Sequence, residues 1–227
     1  HKYLVSHSKQ TDNTQIINND INMNQKMYWS PVDICKDIYK QTGEVFPDIF
    51  YKSKIFYELR NHYISKYKNK NNTNIQESTI IHVRLGDVYD NPTPWQQFIG
   101  EEDLILLINY VIDRFKNPIY LMTKFDFFEG DKEMYDNRDK QICLNCLKKS
   151  NFVTNDYNKH IMGSDDMDYD IYLMMICKNL IIGRSTFSFI PAILQNNVVY
   201  TYADWPHFEE LKGSNKESRK IKLLKYK

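Results

Sequence analysis

From Ser78 to Thr201 the chain alternates short β-branched runs with longer helix-period segments, and this alternation restricts its fold more than any other feature. Thr79 to Leu85 (TIIHVRL), Ile119 to Thr123, Phe152 to Thr154, Leu180 to Gly183 and Val198 to Thr201 read as strands. Between the first two, Glu101 to Lys116 carries Leu104, Leu107, Ile108, Val111, Ile112 and Phe115 at helical spacing and stops at Asn117-Pro118. A charged segment from about Asp131 to Lys149, then Asp168 to Lys178 and Ser185 to Gln195, supply three more helices. Strands joined by helices run parallel, because each crossover returns the chain to the same edge of the sheet, and such sheets are covered on both faces. The expected fold class is α/β, with a parallel sheet within residues 78–227.

Residues 1–77 follow a different pattern, polar and irregular up to Trp29 and helical after it. Ser30-Pro31 offers a cap and a first-turn proline for a helix carrying Val32, Ile34, Cys35, Ile38 and Tyr39, which ends before Gly43. A second helix is expected from Lys52 to Tyr67, with Ile55, Phe56, Leu59, Tyr63 and Tyr67 on one face. The segment YKNKNNTNIQES reads as a polar linker between two structural units, and the basic tail from Lys212 as a solvated helix or extension.

With 227 residues, 42% of them apolar, the chain can bury a sizeable core. Thirty basic against 29 acidic side chains leave a net charge of +1, so no overall field draws the protein to nucleic acid or an anionic membrane. Any anion has to be bound locally. No stretch approaches the roughly 20 apolar residues of a membrane span, and HKYLVSHSKQ lacks the apolar middle of a signal peptide. The chain starts at His1 rather than Met, so an upstream targeting or anchoring segment stays open. Cys143-Leu-Asn-Cys146 has redox or zinc spacing, but a second pair is missing and the context is helical; with Cys35 and Cys177 these read as ordinary thiols, and no metal site is expected. Asn71-Asn72-Thr73 fits a glycosylation pattern that arises by chance in so Asn-rich a chain.

Two motifs carry chemistry. Gly183-Arg184-Ser185-Thr186-Phe187-Ser188 lies where a strand hands over to a helix. At such a junction the first backbone N–H groups of the helix are unpaired and partly positive, which makes an anion seat. Ser185, Thr186 and Ser188 can add hydroxyl donors to a phosphate, and Arg184 can add charge or point to solvent. The alternative is that Ser185 simply caps the helix. The second motif is His82-Val83-Arg84-Leu85-Gly86-Asp87, in which strand alternation puts His82 and Arg84 on one face and Ile81, Val83 and Leu85 on the other. Arg84 then sits at the carboxyl end of its strand with a guanidinium fork suited to phosphate, and Asp87 can hold it, orient a hydroxyl or accept a proton. A buried, hydrogen-bonded His and a surface Arg–Asp pair is the competing reading. Asp165, Asp166, Asp168 and Asp170 precede a helix whose N-terminus they favour; the sharper reading has one of them accept bonds from a nucleobase or sugar.

HVRLGD resembles the HxRRxD-type motif of the α1,2-fucosyltransferases, glycosyltransferase family 11, within the wider group of GT-B fucosyltransferases. The run from Asp170 to Ser188, DIYLMMICKNLIIGRSTFS, is similar to that family's D-x-x-LM-x-x-C-x-x-x-I-x-x-x-STFS block, and the likeness extends over about Ser78 to Tyr202. It implies a Rossmann-like nucleotide-sugar domain of GT-B type, with residues 1–77 as a short, mostly helical acceptor-side portion. It also implies GDP-fucose as donor, a glycan as acceptor, and no metal or other cofactor. Arg84 would neutralise the β-phosphate of departing GDP, Ser185, Thr186 and Ser188 would line the phosphate site, His82 would shape the pocket, and Asp87 would support Arg84 or the sugar. The implied reaction is an inverting displacement by an acceptor hydroxyl. The compartment would be the cytoplasm or, with an upstream anchor removed, the Golgi lumen.

The chain departs from that family at three places. Leu85 stands where the second arginine is usual, Phe189-Ile190-Pro191 where many relatives have paired tryptophans, and no GxGN segment occurs near the start. The catalytic base therefore stays open among Asp87, Glu44 and Asp48, while His207 reads as structural. A same-fold transferase using another nucleotide sugar, and a silent glycan- or nucleotide-binding module, remain as alternatives. A dehydrogenase is disfavoured because no GxGxxG follows a strand.

Overall fold

The computed structural model describes residues 40, 54–70, 72–86, 89, 99–123, 132–202 and 221–226. The expected helix after Ser30-Pro31, Cys35, Glu44, Asp48, Asp87 and His207 lie outside the described residues. The chain divides into two units, His1–Lys66 with Trp205–Lys220, and Tyr67–Asp204 with Ile221–Lys227.

In the first unit, helix α1 (Lys54–Tyr67) buries Phe56, Leu59 and Tyr63, the spacing expected from the sequence. Its last residue, Tyr67, belongs to the second unit, where its hydroxyl donates to Asp166 at 2.8 Å. The polar stretch that follows is more than a linker. It contains helix α2 (Thr73–Gln76), which packs on a later helix through buried Ile75, and Asn72 accepts a hydrogen bond from Tyr169 at 2.9 Å. One apolar residue in a run of polar ones suffices to dock a single turn, and composition hides it.

The second unit is built on six parallel strands, β1 (Thr79–His82), β2 (Ile119–Met122), β3 (Ile161–Met162), β4 (Asn179–Ile182), β5 (Val199–Thr201) and β6 (Ile221–Leu223). Their order is β3-β2-β1-β4-β5-β6. The chain moves outward from β1 to β3, then crosses back to place β4 on the other side of β1. This α/β architecture is Rossmann-like, and its switch point lies between β1 and β4.

Helices α3 (Glu101–Phe115) and α4 (Lys132–Lys149) pack together, and Leu104, Leu107, Ile108, Val111, Cys143, Cys146 and Leu147 join Ile81, Val83, Leu121 and Ile181 in one buried cluster. Glu101, Glu102 and Asp103 in the first turn of α3 suit its positive end, and Lys116 ends it in a left-handed conformation (φ 55°) just before Asn117-Pro118. The other face of the sheet takes the alternate residues Ile80, Met122, Leu180 and Ile182, all buried. There α5 (Met167–Ile176) and α6 (Thr186–Leu194) pack together, and the ring of His82 meets that of Phe187 at 5.8 Å between centroids.

Two strand assignments change. Phe152 to Thr154 is a loop, because its polar groups bond locally: Phe152 N–H donates to Ser150 Oγ at 3.2 Å and Asp156 N–H to Thr154 Oγ1 at 3.3 Å. The strand comes later, at β3, after a 3₁₀ turn (Tyr157–His160). The basic tail supplies a sixth strand, β6, anchored by buried Leu224, whose N–H donates to Thr201 O at 2.8 Å. Lys222 is exposed on this edge, where charge deters further strand pairing.

Gly183, one residue past β4, is fixed by close approach rather than by backbone angle, since a Cβ there would run into the ring of Tyr202. Tyr202 follows β5, reaches over the end of β4 and donates to His82 O at 3.3 Å, so it ties three strand ends together. Gly183→Ala is expected to lower stability by about 1–3 kcal/mol through overpacking. Urea unfolding should show much of that loss relieved in Gly183→Ala/Tyr202→Leu; equal losses that simply add would contradict the clash.

Candidate functional site

Register places the two motifs. Ile81 pairs with Ile181 in the parallel β1–β4 ladder, so the segments that follow each strand leave the same edge of the sheet side by side. One carries His82 and Arg84; the other carries Arg184, Ser185 and the start of α6. Open α/β sheets collect ligands at this kind of edge.

His82 is 2% exposed, and its Nδ1 is buried with no hydrogen-bond partner among the described residues. Burial, and secondarily the charge of Arg84, push its pKa down to about 3, so the imidazole is neutral at physiological pH. Arg84 is half-buried beside it. Ile81, Val83 and Leu85 all enter the apolar cluster, as alternation requires. Leu85 at 1% exposure points away from the face of Arg84, so an arginine there would carry its charge into the core.

Ser185 is the N-cap residue of α6, with extended angles (φ −151°, ψ 128°), yet its side chain makes no capping bond. Its Oγ is buried and has no partner among the described residues. The simple capping role is therefore absent. A hydroxyl kept from its own helix while standing at that helix's positive end suits a ligand oxygen. Thr186 is the first residue of α6; its side chain lies outside the described set. Ser188 is fully buried and its hydroxyl donates back to Ser185 O at 3.2 Å, within the first turn. Its hydroxyl is thus engaged within the first turn of α6.

The acidic cluster divides in its roles. Asp166 caps α5, accepting from Tyr169 N–H at 3.2 Å, as expected for a helix start. Asp170 is 1% exposed and accepts from both Ser164 N–H (3.2 Å) and Ser164 Oγ (2.9 Å), which fixes the loop after β3. Asp168 stands in the first turn of α5, half-buried. Cys143, Cys146 and Cys177 are buried free thiols; burial raises Cys146 to about 11 and Cys177 to about 12. Among the described residues no group of His, Cys, Asp and Glu side chains is arranged to hold a metal ion, and no helix is long and apolar enough to cross a membrane.

Sequence reasoning missed three groups that border the site. Tyr202 is one, bonded to His82 O and packed against Gly183. Thr123, just past β2, has a fully buried Oγ1 with no partner among the described residues. Asp139 on α4 is fully buried and accepts from Gly86 N–H at 2.7 Å. A signal for Asp139 was present: it occupies the same helical face as Ile142, Cys143 and Cys146, and a carboxylate on an apolar stripe requires a partner. Compared with protein-family models, curated proteins and solved structures, the chain finds no match in any of the three.

His82 makes stability depend on pH with a definite sign. Its folded value lies below the unfolded one of 6.5, so the unfolded chain binds more protons between about pH 3 and 6.5. The associated cost is absent above pH 6.5 and grows on acidification. His82→Asn should therefore lose less stability than wild type between pH 7 and 4.5, by roughly 2 kcal/mol. Parallel pH profiles for the two proteins would contradict a buried, neutral His82.

Proposed function

We propose that this protein is an inverting, metal-independent glycosyltransferase of GT-B type that transfers fucose from GDP-fucose to a hydroxyl of a glycan, with the sheet unit, Tyr67–Asp204 with Ile221–Lys227, as the donor side. The observation that carries the reading is the adjacency of the Arg84 segment and the amino end of α6 at one switch point, where the N-cap residue Ser185 keeps a buried hydroxyl with no partner among the described residues. An arginine and a helix N-terminus on one diphosphate supply positive charge where a leaving group becomes more negative, and this lowers the barrier without a divalent ion.

In the proposed reaction the acceptor oxygen attacks the anomeric carbon of the donor. The bond from that carbon to the β-phosphate oxygen breaks, GDP leaves with the electron pair, and the acceptor proton passes to a base. Arg84 grips the β-phosphate, while the N–H groups at the start of α6 and the Ser185 and Thr186 hydroxyls complete the anion seat. His82, being neutral, shapes the pocket without adding charge. Asp87 supports Arg84 or the donor sugar, and the base stays open, with Asp87, Glu44 and Asp48 among its candidates. Arg84→Ala should weaken GDP binding at least about 30-fold in metal-free calorimetry while unfolding remains cooperative. Unchanged affinity would remove Arg84 from the role.

Leu85 favours a second reading, transfer from another nucleotide sugar on the same site. Leu85 stands where the resembled motif has a second arginine, and its side chain is buried in the core. Mass-spectrometric screening of GDP- and UDP-sugars against pooled glycans separates the two, since the mass gained by the acceptor identifies the sugar. GDP binding with no turnover of any donor would instead indicate a silent binding module.

A further inference from the structure

The backbone that carries Arg84 is held by side chains from elsewhere in the fold. β1 ends at His82, and after Val83 N–H, which donates to Met122 O at 2.8 Å, the segment leaves the sheet ladder. On one side Tyr202 donates to His82 O at 3.3 Å. On the other side α4 grips Gly86 at both of its peptide groups. Asp139 Oδ2 accepts from Gly86 N–H at 2.7 Å, and Arg138 Nη2 donates to Gly86 O at 2.9 Å. The two side chains are themselves paired, Arg138 Nε to Asp139 Oδ1 at 2.9 Å, and the guanidinium of Arg138 lies 4.9 Å from the centre of the Tyr89 ring.

This clamp is costly. Asp139 is fully buried, and a buried ion pair commonly contributes less to stability than apolar side chains of the same volume would. Gly86 is also held at φ 68°, the left-handed conformation that a residue with a Cβ resists. A simple loop would need neither feature. Both fix the direction in which the chain leaves β1, and therefore the direction of Arg84, two residues before Gly86.

Building on the nucleotide reading above, we infer that Arg138 and Asp139 are positioning residues: as a pair they orient the Arg84 segment toward the diphosphate without touching the ligand. Arg138 acts through its fork. Its Nε holds Asp139 while Nη2 holds Gly86 O, two jobs that a single ammonium cannot share.

The test is Arg138→Lys in the full chain, which keeps the positive charge and removes the fork. GDP affinity, measured by calorimetry without metal, is expected to fall about 5- to 30-fold, the range for losing one or two aligned hydrogen bonds. The melting temperature should change little. In an Arg84→Ala background the same substitution should have no further effect on GDP affinity, because the residue it positions is gone; a purely structural or long-range electrostatic role would give the same factor in both backgrounds. Asp139→Asn, which still offers Gly86 N–H an acceptor, should weaken binding less than Asp139→Leu. Wild-type chain that fails to bind GDP would overturn the underlying nucleotide reading and this inference with it. GDP binding that is sensitive to Arg84→Ala but unchanged in Arg138→Lys would overturn the inference alone.

Discussion

The parallel pairing of β1 with β4 is the constraint on which the site depends. About 100 residues separate the two motifs in the chain, and only this ladder makes them neighbours. It follows from the order of the crossovers: the first two carry the chain outward from β1 to β3, and the third returns it to the open side of β1. The apolar residues that drive the sheet together, Ile81 and Ile181 on one face and Ile80 and Leu180 on the other, stand within a few residues of the polar groups that end the strands. Hydrophobic burial thus delivers polar groups to one edge as a consequence of register.

That edge is unusual in how its polar groups are satisfied. Backbone groups near Arg84 are bound by Tyr202, Arg138 and Asp139, whereas His82 Nδ1 and Ser185 Oγ are buried without partners among the described residues. Leaving a buried polar group unpaired costs on the order of 1–3 kcal/mol. The backbone here is secured by the side chains of Tyr202, Arg138 and Asp139, while three buried side-chain atoms nearby, His82 Nδ1, Thr123 Oγ1 and Ser185 Oγ, have no partner among the described residues.

Much of this was legible in the sequence, for identifiable reasons. Alternation gave the parallel α/β class and the opposite facing of Arg84 and Leu85, because both rest on periodicities of the backbone itself. The stop of α3 at Asn117-Pro118 and the start of α6 after Ser185 rest on similarly local chemistry. What escaped was tertiary. β6 hid in a basic run because its anchor is a single leucine, and the loop at Phe152 looked like a strand because its side chains are apolar while its backbone bonds are local. The bond from the Ser188 hydroxyl back to Ser185 O is not visible in the sequence, because it depends on the geometry of the first turn of α6. Asp139 and Tyr202 could not be tied to Gly86 and His82 before the strand order was known.

The central claim is that one diphosphate is shared by the Arg84 segment and the amino end of α6. Amide chemical shifts recorded during a GDP titration of the full chain test it most directly. The account predicts that the amides of Arg84, Ser185 and Phe187 shift together along a single saturation curve, whereas shifts confined to one of the two segments, or lying elsewhere in the sheet, would contradict it.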